Sequence, residues 1–492
     1  MYTRLPTLLT LLHTLLPLAT TTSHPASTSY WQISPPLNTS DALTAGLPSL
    51  PLHSQTLVYN GTRHKRTYAH HPSLYTNNHG RLFLQYSTSP IDEDTTGQES
   101  WLSTSTDDGT TWSEGVSILP TALLDNQTDT GPANYSYWCE KNVWMRAVHP
   151  LAWVPIRVTE RERATASSPN NTTTNNNQET LYAVSQTTLR YCWSASTKGT
   201  KGGGRIARRI DSKGNAVGAP CWTEKNYWTE VARFNETIYG TRYGMRYCEH
   251  AAYIEEYLKE PDTTPAWGSW LYGTKMYAED GVHDVQEPTH AVWFDGGNST
   301  YEKGARDERG RKREGKGGEA YWQRFWRDIS NSNTISNKLW TEHTASLHGS
   351  SWYPNTLSQY NNSIYETDIP DVGSKAHYGI VPPNPNHPSS NPLSLPLRFL
   401  IHNPLPNPSK YRQPLTIATS RGDSPAFTGI GVLRTNASTI IAPDTRGLKR
   451  LMFSYPTAIV VGQGEGGQKL VVSYSENKEN IWVSVVRVRD LL

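Results

Sequence analysis

No segment of this chain carries an apolar stripe of helical period long enough to connect parallel strands, which argues against a βαβ architecture. The chain also lacks a dominant sign of charge. Its 46 Lys and Arg stand against 44 Asp and Glu, a formal net charge of +2, so no global field draws it onto nucleic acid or an anionic membrane. Any anion it binds has to be met by local arginines. Cysteine is scarce: Cys139, Cys192, Cys221 and Cys248 are the four present. No two have C-x-x-C spacing and no paired histidines flank them, which argues against zinc. An even set in an exported chain points instead to disulfides, and the spacing leaves all three pairings open. Beyond the N-terminus no segment looks transmembrane.

Turn formers and aromatics are abundant. There are 36 Gly, 33 Pro and 17 Trp in 492 residues, a composition that favours an all-β fold. The N-terminal "MYTRLPTLLTLLHTLLPLATTTSHPA" has one early Arg4, an apolar stretch Leu5–Leu18 and small residues Ala19–Ser23, so residues 1–22 are expected to be a signal peptide and the protein to be secreted. Sequons at Asn38, Asn60, Asn126, Asn134, Asn171, Asn235, Asn298 and Asn436 agree with export. Short alternating stretches such as "RLFLQYS", "LRFLIHN", "PLTIATS", "KLVVSYS" and "NIWVSVVRV" predict antiparallel strands.

The stretch Ser105-Thr106-Asp107-Asp108-Gly109-Thr110-Thr111-Trp112 is an Asp box. Gly109 permits the tight turn, Ser105 and Asp107 tie down backbone amides, and Trp112 plugs into the sheet below. Degenerate copies follow in "TASLHGSSW" and "TIATSRGDSPAF". One such turn per blade and a mature chain of about 470 residues predict one β-propeller domain over 23–492, with seven blades and six as the alternative. Polar stretches at about 160–180, 199–209, 302–320 and 382–396 are expected to be inserted surface loops. The basic run Arg306–Lys316 has no interleaved aromatics and is expected to be solvated rather than a polyanion patch.

The Asp box is architecture; the stretch before it is a different matter. "TYAHHPSLY" begins a strand, so His70 and His71 are expected to point to opposite faces, with one turned into a central channel. About twenty residues later Asp92-Glu93-Asp94 follow in a loop. Carboxylates and imidazoles are costly to gather without a ligand to share them, so the region is expected to edge a site.

The order "HHP…DEDTTGQ…STDDGTTW", "RRIDSKGNAVGAPCW", "EPTHAVWFDGG", "FWRDIS", "TDIPDVGSKAHYGIVP" and "FSYPTAIVVG" resembles the sialidase-like, Asp-box (BNR-repeat) propeller proteins. It is most similar to the secreted fungal branch of L-rhamnose-α-1,4-D-glucuronate lyases. The resemblance implies an enzyme that takes the C5 proton from a glucuronate and expels O4-linked rhamnose from arabinogalactan caps of the gum arabic type. Such β-elimination needs a cation for the uronate carboxylate, a base for C5–H and an acid near O4. On this resemblance the catalytic residues are His70, His71 and Arg327. Arg146, Arg246, Lys375, Tyr455 and Asp94 are the substrate-binding ones. Ser89 stands near the place of a second expected histidine, so on this resemblance the activity is expected to be altered, transferred to Tyr86 or His79, or absent. The reaction requires no cofactor, although Asp92, Glu93 and Asp94 offer oxygen donors compatible with a structural calcium ion. The expected partner is a uronate-containing carbohydrate, with neither nucleic acid nor membrane.

Two rival readings remain. An exo-sialidase-like hydrolase would use a tyrosine nucleophile supported by a glutamate, an aspartate acid and an arginine triad, but the usual N-terminal Arg-Ile-Pro is absent from "LVYNGTRHKRTYAHHP". A non-catalytic propeller would bind carbohydrate through its many tryptophans.

Overall fold

The computed structural model describes residues 29–492 apart from 64, 91, 94–96, 121, 124–144, 157–179, 191–199, 225–246, 261–275, 279, 295–320, 332–333, 345–363, 384–394, 406–410, 423, 443–448 and 463–466. The predicted signal peptide, Asp94, Arg246, Cys139, Cys192, the Arg306–Lys316 run and most of the expected insertions at 160–180, 302–320 and 382–396 therefore lie outside the described residues.

Strand β1 (Leu52–Asn60) opens the fold. The next sheet is β2 (Tyr68–Thr76), β3 (Leu82–Ser89), β4 (Glu99–Ser105) and β5 (Val116–Leu119), paired in that order. A second sheet contains β6 (Ala122–Leu123), β7 (Met145–Ile156), β8 (Thr180–Arg190), β9 (Thr200–Ile210) and β10 (Ala216–Trp222). Then come β11 (Met276–Tyr277), β12 (Asp284–Gln286), β13 (Val292–Phe294), β14 (Tyr321–Asp328), β15 (Lys338–Thr344) and β16 (Tyr365–Pro370). A fourth sheet holds β17 (His377–Val381), β18 (Leu397–His402), β19 (Leu415–Arg421) and β20 (Gly429–Arg434). The last has β21 (Phe453–Val461), β22 (Lys469–Glu476) and β23 (Asn480–Arg487), closed on its outer edge by β1. This antiparallel pair ties β1, an early strand, to the last strand β23, with β1 forming the outer edge of the sheet.

Four core clusters among the described residues are each shared by two neighbouring sheets. Leu82, Leu84 and Tyr86 pack with Val471, Ile481 and Val483, while Phe399, Ile401 and Ile417 pack with Phe453, Val472 and Tyr474. Phe325 and Leu339 meet Tyr378 and Ala418, and Phe83 and Leu102 meet Trp153 and Ala183. Meanders stacked face to face around a common axis are a β-propeller, in agreement with the sequence. Five sheets occur among the described residues, so the expected number of blades is not reached there.

The stretch 199–209 is a correction. It was expected to be a loop because of its glycines and cations, yet β9 is the strand between β8 and β10. Ile206, Ala207 and Ile210 are buried, and Arg205 neutralises itself against Glu224 and Glu255. A composition average hid a strand whose apolar residues lie at its far end. Among the cysteines, Cys221 and Cys248 form a disulfide.

The Asp box behaves as read. The Ser105 hydroxyl accepts from Gly109 N at 3.0 Å, and Asp107 Oδ1 accepts from Thr111 N at 2.9 Å. Gly109 has φ +86°, and Trp112 packs, half-buried, against the core cluster of β3 and β22.

Candidate functional site

The innermost strands of neighbouring sheets, β7, β2, β21 and β17, lie side by side around the axis. Their side chains meet at one place because the strands are interrupted in the same manner. In β2 the register slips between His70 and Ser73, and in β21 between Ser454 and Thr457. The extra residue in each is followed by a proline: His71-Pro72 and Tyr455-Pro456. Proline brings no N–H, so a bulge there sacrifices no ladder hydrogen bond. His71 has φ +53° and Tyr455 φ +54°, and Glu287, which precedes Pro288, has φ +54°. Left-handed backbone at bulky non-glycine residues is strained, and such strain concentrates where a side chain is being aimed.

The bulge overturns the expectation that His70 and His71 face opposite sides. Their ring centroids are 4.3 Å apart, and both rings contact Tyr455, at 4.2 and 5.0 Å. His149, also before a proline and from β7, places its ring 5.2 Å from His71. Gln98 Nε2 lies 3.1 Å from His149 Nδ1. His71 Nδ1 meets the Ser87 hydroxyl at 3.1 Å, and its Nε2 lies 3.4 Å from Glu93 Oε1. Burial holds the pKa of both His70 and His71 well below 6.5, and for His71 this prevails over the opposing pull of Glu93. Both are neutral imidazoles near neutral pH. Burial alone would raise Glu93, but Lys478, 2.7 Å away, and the imidazoles hold it well below the ordinary carboxylate value. Lys478 arrives on the β22–β23 hairpin, where Asn477 and Lys478 both take positive φ, as a type I′ turn demands.

Beside the imidazoles lies a carboxylate–phenol–cation cluster. The Tyr455 hydroxyl donates to Glu287 Oε1 at 2.8 Å, and Arg327 Nη1 donates to Glu287 Oε2 and, at 3.3 Å, to the Tyr455 oxygen. Burial, then Glu287, push the Tyr455 hydroxyl far above its usual value, so it keeps its proton. Burial, the largest single influence on Arg327, lowers it, but the charge and hydrogen bonds of Glu287 and Tyr455 together outweigh burial and raise it. Lys375 Nζ stands 4.8 Å over the Tyr455 ring. Burial, aided by Arg327 and opposed by Glu287, brings its ammonium down to about 7. Burial and Arg327 also lower Arg412. Arg327 contacts Glu287, whose charge also acts on Lys375 and Arg412, with Asp371 acting on Arg412 as well; this surplus of cations is complementary to an incoming carboxylate.

Of the residues named from sequence, the structure brings together His70, His71, Arg327, Lys375 and Tyr455. Tyr455 stands in this cluster, in contact with both imidazoles and hydrogen-bonded to Glu287. Arg146 lies in β7, opposite Leu189. Ser89 is not a failed histidine: its hydroxyl donates to Asp92 O at 2.6 Å and shapes the loop that delivers Glu93. Tyr86 is buried against Ser103 in the inter-sheet core and His79 lies on an exposed turn, so neither replaces a missing imidazole. A further imidazole, that of His149, lies beside His71. Sequence reasoning missed His149, Glu287 and Arg412, although His149 and Glu287 share with His71 and Tyr455 one available signal, a polar residue immediately before proline, within an inner strand or, for Glu287, just after β12. Asp92 accepts from Glu93 N at 2.7 Å and Glu93 pairs with Lys478; Asp94, the third oxygen donor named for a calcium ion, lies outside the described residues.

No protein-family model matches the sequence, and no curated protein does either. Solved structures similar to the chain include a Hadza microbial sialidase, with 11% identity and a TM-score of 0.43, covering 89% of this chain and 69% of that one. The NanB sialidase from Streptococcus pneumoniae has 8% identity and a TM-score of 0.39, covering 89% and 71%. An α-L-arabinofuranosidase of Fusarium graminearum, in complex with arabinobiose, has 9% identity and a TM-score of 0.35, covering 89% and 99%.

Proposed function

We propose that this propeller is a secreted carbohydrate-active enzyme that removes rhamnose from rhamnosyl-glucuronate caps of arabinogalactan by β-elimination. One observation carries the reading: three cations and two neutral imidazoles converge on the ring and hydroxyl of Tyr455. The uronate carboxylate would sit against Arg327, Lys375 and Arg412, which lowers the cost of building negative charge as C5–H is broken. A neutral imidazole of the His70–His71 pair then accepts the C5 proton, since its pKa leaves the lone pair available. Tyr455 holds its proton and can deliver it to the departing O4, with Glu287 orienting the hydroxyl. The products are free rhamnose and a glucuronate with a C4=C5 double bond.

A second reading, hydrolysis by a sialidase-like route, is favoured by the 2.8 Å hydrogen bond between Tyr455 and Glu287, because a phenol activated by a carboxylate is a workable nucleophile. Incubation with gum arabic in labelled water separates the two. Elimination yields an ultraviolet-absorbing product without the label; hydrolysis yields a labelled product without the absorbance. No product at all, with sugar still bound, leaves the carbohydrate-binding propeller.

A further inference from the structure

We infer that the cleft between the β2–β3 and β9–β10 turns is a second carbohydrate site, which takes a uronate residue of the polysaccharide by its carboxylate and hydroxyls and so holds the protein on the polymer, away from the imidazole–Tyr455 cluster. The choice of a uronic-acid sugar rests on the carbohydrate reading above; the anion-binding cleft itself does not.

Local turn chemistry builds the walls. Asn77 Oδ1 accepts from His79 N and from Arg81 N, both at 3.0 Å, while Gly80 takes φ +75°, which fixes the β2–β3 turn. Asp211 fixes the β9–β10 turn in the same way: its Oδ1 accepts from Lys213 N at 2.9 Å and from Asn215 N at 2.7 Å. The two turns are tied together, because Asn77 Nδ2 donates to Ser212 O at 3.4 Å. Gly214 lets the second turn approach the strand that leads into the Asp box; a Cβ there would stand 2.6 Å from the Thr104 methyl carbon. A cavity of about 240 Å³ remains between them, lined by His79, Gly80, Arg81, Thr106, Ser212 and Lys213. Sites for drug-sized ligands run to roughly 300–1,000 Å³, so this one suits a single sugar unit.

The cations of the cleft have no counter-charge. Among the described residues the side chains of His79, Arg81 and Lys213 form neither an ion pair nor a hydrogen bond, and no carboxylate lines the cavity. The acids nearest along the chain are engaged elsewhere: Asp211 in its own turn, Asp107 with Thr111, and Asp108 with Lys469 at 3.0 Å. A guanidinium and an ammonium suit a carboxylate. The Thr106 and Ser212 hydroxyls, likewise without a partner in the fold, suit the hydroxyls of a sugar ring. With a net charge of +2 the chain has no broad field for polyanions, so recognition here is local. Between His71 and Asn77 the chain advances by about 20 Å, at roughly 3.3 Å per residue. A sugar held in the cleft therefore does not reach the imidazoles; it tethers the protein and raises the local concentration of reactive chain ends.

Affinity electrophoresis of the full chain in gels cast with gum arabic tests the site, in a Tyr455→Phe background that prevents turnover during the run. Combining Arg81→Met with Lys213→Met should weaken retention at least fivefold. In the otherwise wild-type chain the same pair should raise KM on the polymer while kcat/KM on a soluble rhamnosyl-glucuronate disaccharide stays unchanged. Circular dichroism checks the fold, and Lys213→Met alone, at an exposed position, serves if the double variant unfolds. Unchanged retention in folded variants overturns the site. Tetragalacturonate at ~1 mM, the affinity expected of water-screened charges, should release the wild-type contact where sodium phosphate of equal ionic strength does not. Equal release by phosphate, or equal retention on carboxyl-reduced gum arabic, overturns the uronate assignment. Retention that depends on Arg81 and Lys213 in a protein inactive on every substrate supports the site and contradicts the enzymatic reading alone.

Discussion

His70 and His71 are consecutive residues of one strand, yet their rings lie 4.3 Å apart on the same side, because His71 takes a φ of +53° at a bulge. Regular strand geometry would have separated them. Both imidazoles consequently belong to the site, and both His70→Ala and His71→Ala should lower kcat/KM on a rhamnosyl-glucuronate substrate by about 10²–10⁴, the range of a lost general base or of its close neighbour. Circular dichroism should remain native. A variant of either residue with full activity would show that its ring is only architectural.

Tyr455→Phe isolates the hydroxyl, since the ring stays against Lys375 and the histidines. Turnover should fall about 10²–10⁴-fold as the proton donor to O4 is lost, with little change in KM and a loss of stability of about 1 kcal/mol for the hydrogen bond to Glu287. Steady-state kinetics and thermal melts check both. Wild-type kcat in the variant would remove the phenol from the chemistry in either the elimination or the hydrolysis route.

Arg327→Met leaves Glu287 without its guanidinium while Tyr455 still donates to it. Breaking a buried pair from one side costs about 3–5 kcal/mol, visible in denaturant melts, and KM for a uronate substrate should rise at least tenfold. An unchanged KM would mean that the carboxylate binds elsewhere.

The pH dependence has two limbs. His70 and His71 have folded pKa values depressed below 6.5, so as pH falls below about 6.5 the unfolded chain takes up protons that the folded chain refuses. Their contribution to stability is present above that value and is lost as pH falls toward the folded values. Activity, which needs a neutral base, should persist below pH 6.5 rather than vanish there. Lys375 titrates at about 7 when folded against 10.5 in the reference state. Between those values the unfolded chain holds the extra proton, so stability rises with pH across the window. KM for an anionic substrate should rise above pH about 7 as the ammonium charge disappears. Melts and KM across pH, with Lys375→Met as the control, check the assignment; identical profiles in wild type and variant would contradict it.

Trp112→Ala should cost about 2–3 kcal/mol, less than a fully buried tryptophan because the side chain is half-buried. The activity per folded molecule should not change, because the Asp box lies away from the inner strands. A changed KM in the folded variant would place the turn at the ligand.

The sequence by itself determined what depends on local pattern. Alternation and turn residues located β3, β18, β19, β22 and β23, and the Ser105–Trp112 spacing established a turn whose hydrogen bonds close within eight residues. The resemblance to Asp-box propellers located His70, His71, Arg327, Lys375 and Tyr455, which the fold then brought together. Only the tertiary structure decided how they meet. Glu287 and Tyr455 are 168 residues apart in the chain, and nothing in either local sequence says that one accepts a hydrogen bond from the other. The facing of His71 was equally illegible, because period-two reasoning assumes an uninterrupted ladder and a single inserted residue reverses it. β9 was missed for a related reason: glycine and charge describe its beginning, whereas its membership in a sheet depends on Ile206, Ala207 and Ile210 finding partners on neighbouring strands. Local chemistry specified the strands and turns; long-range packing between blades specified which side chains share a site.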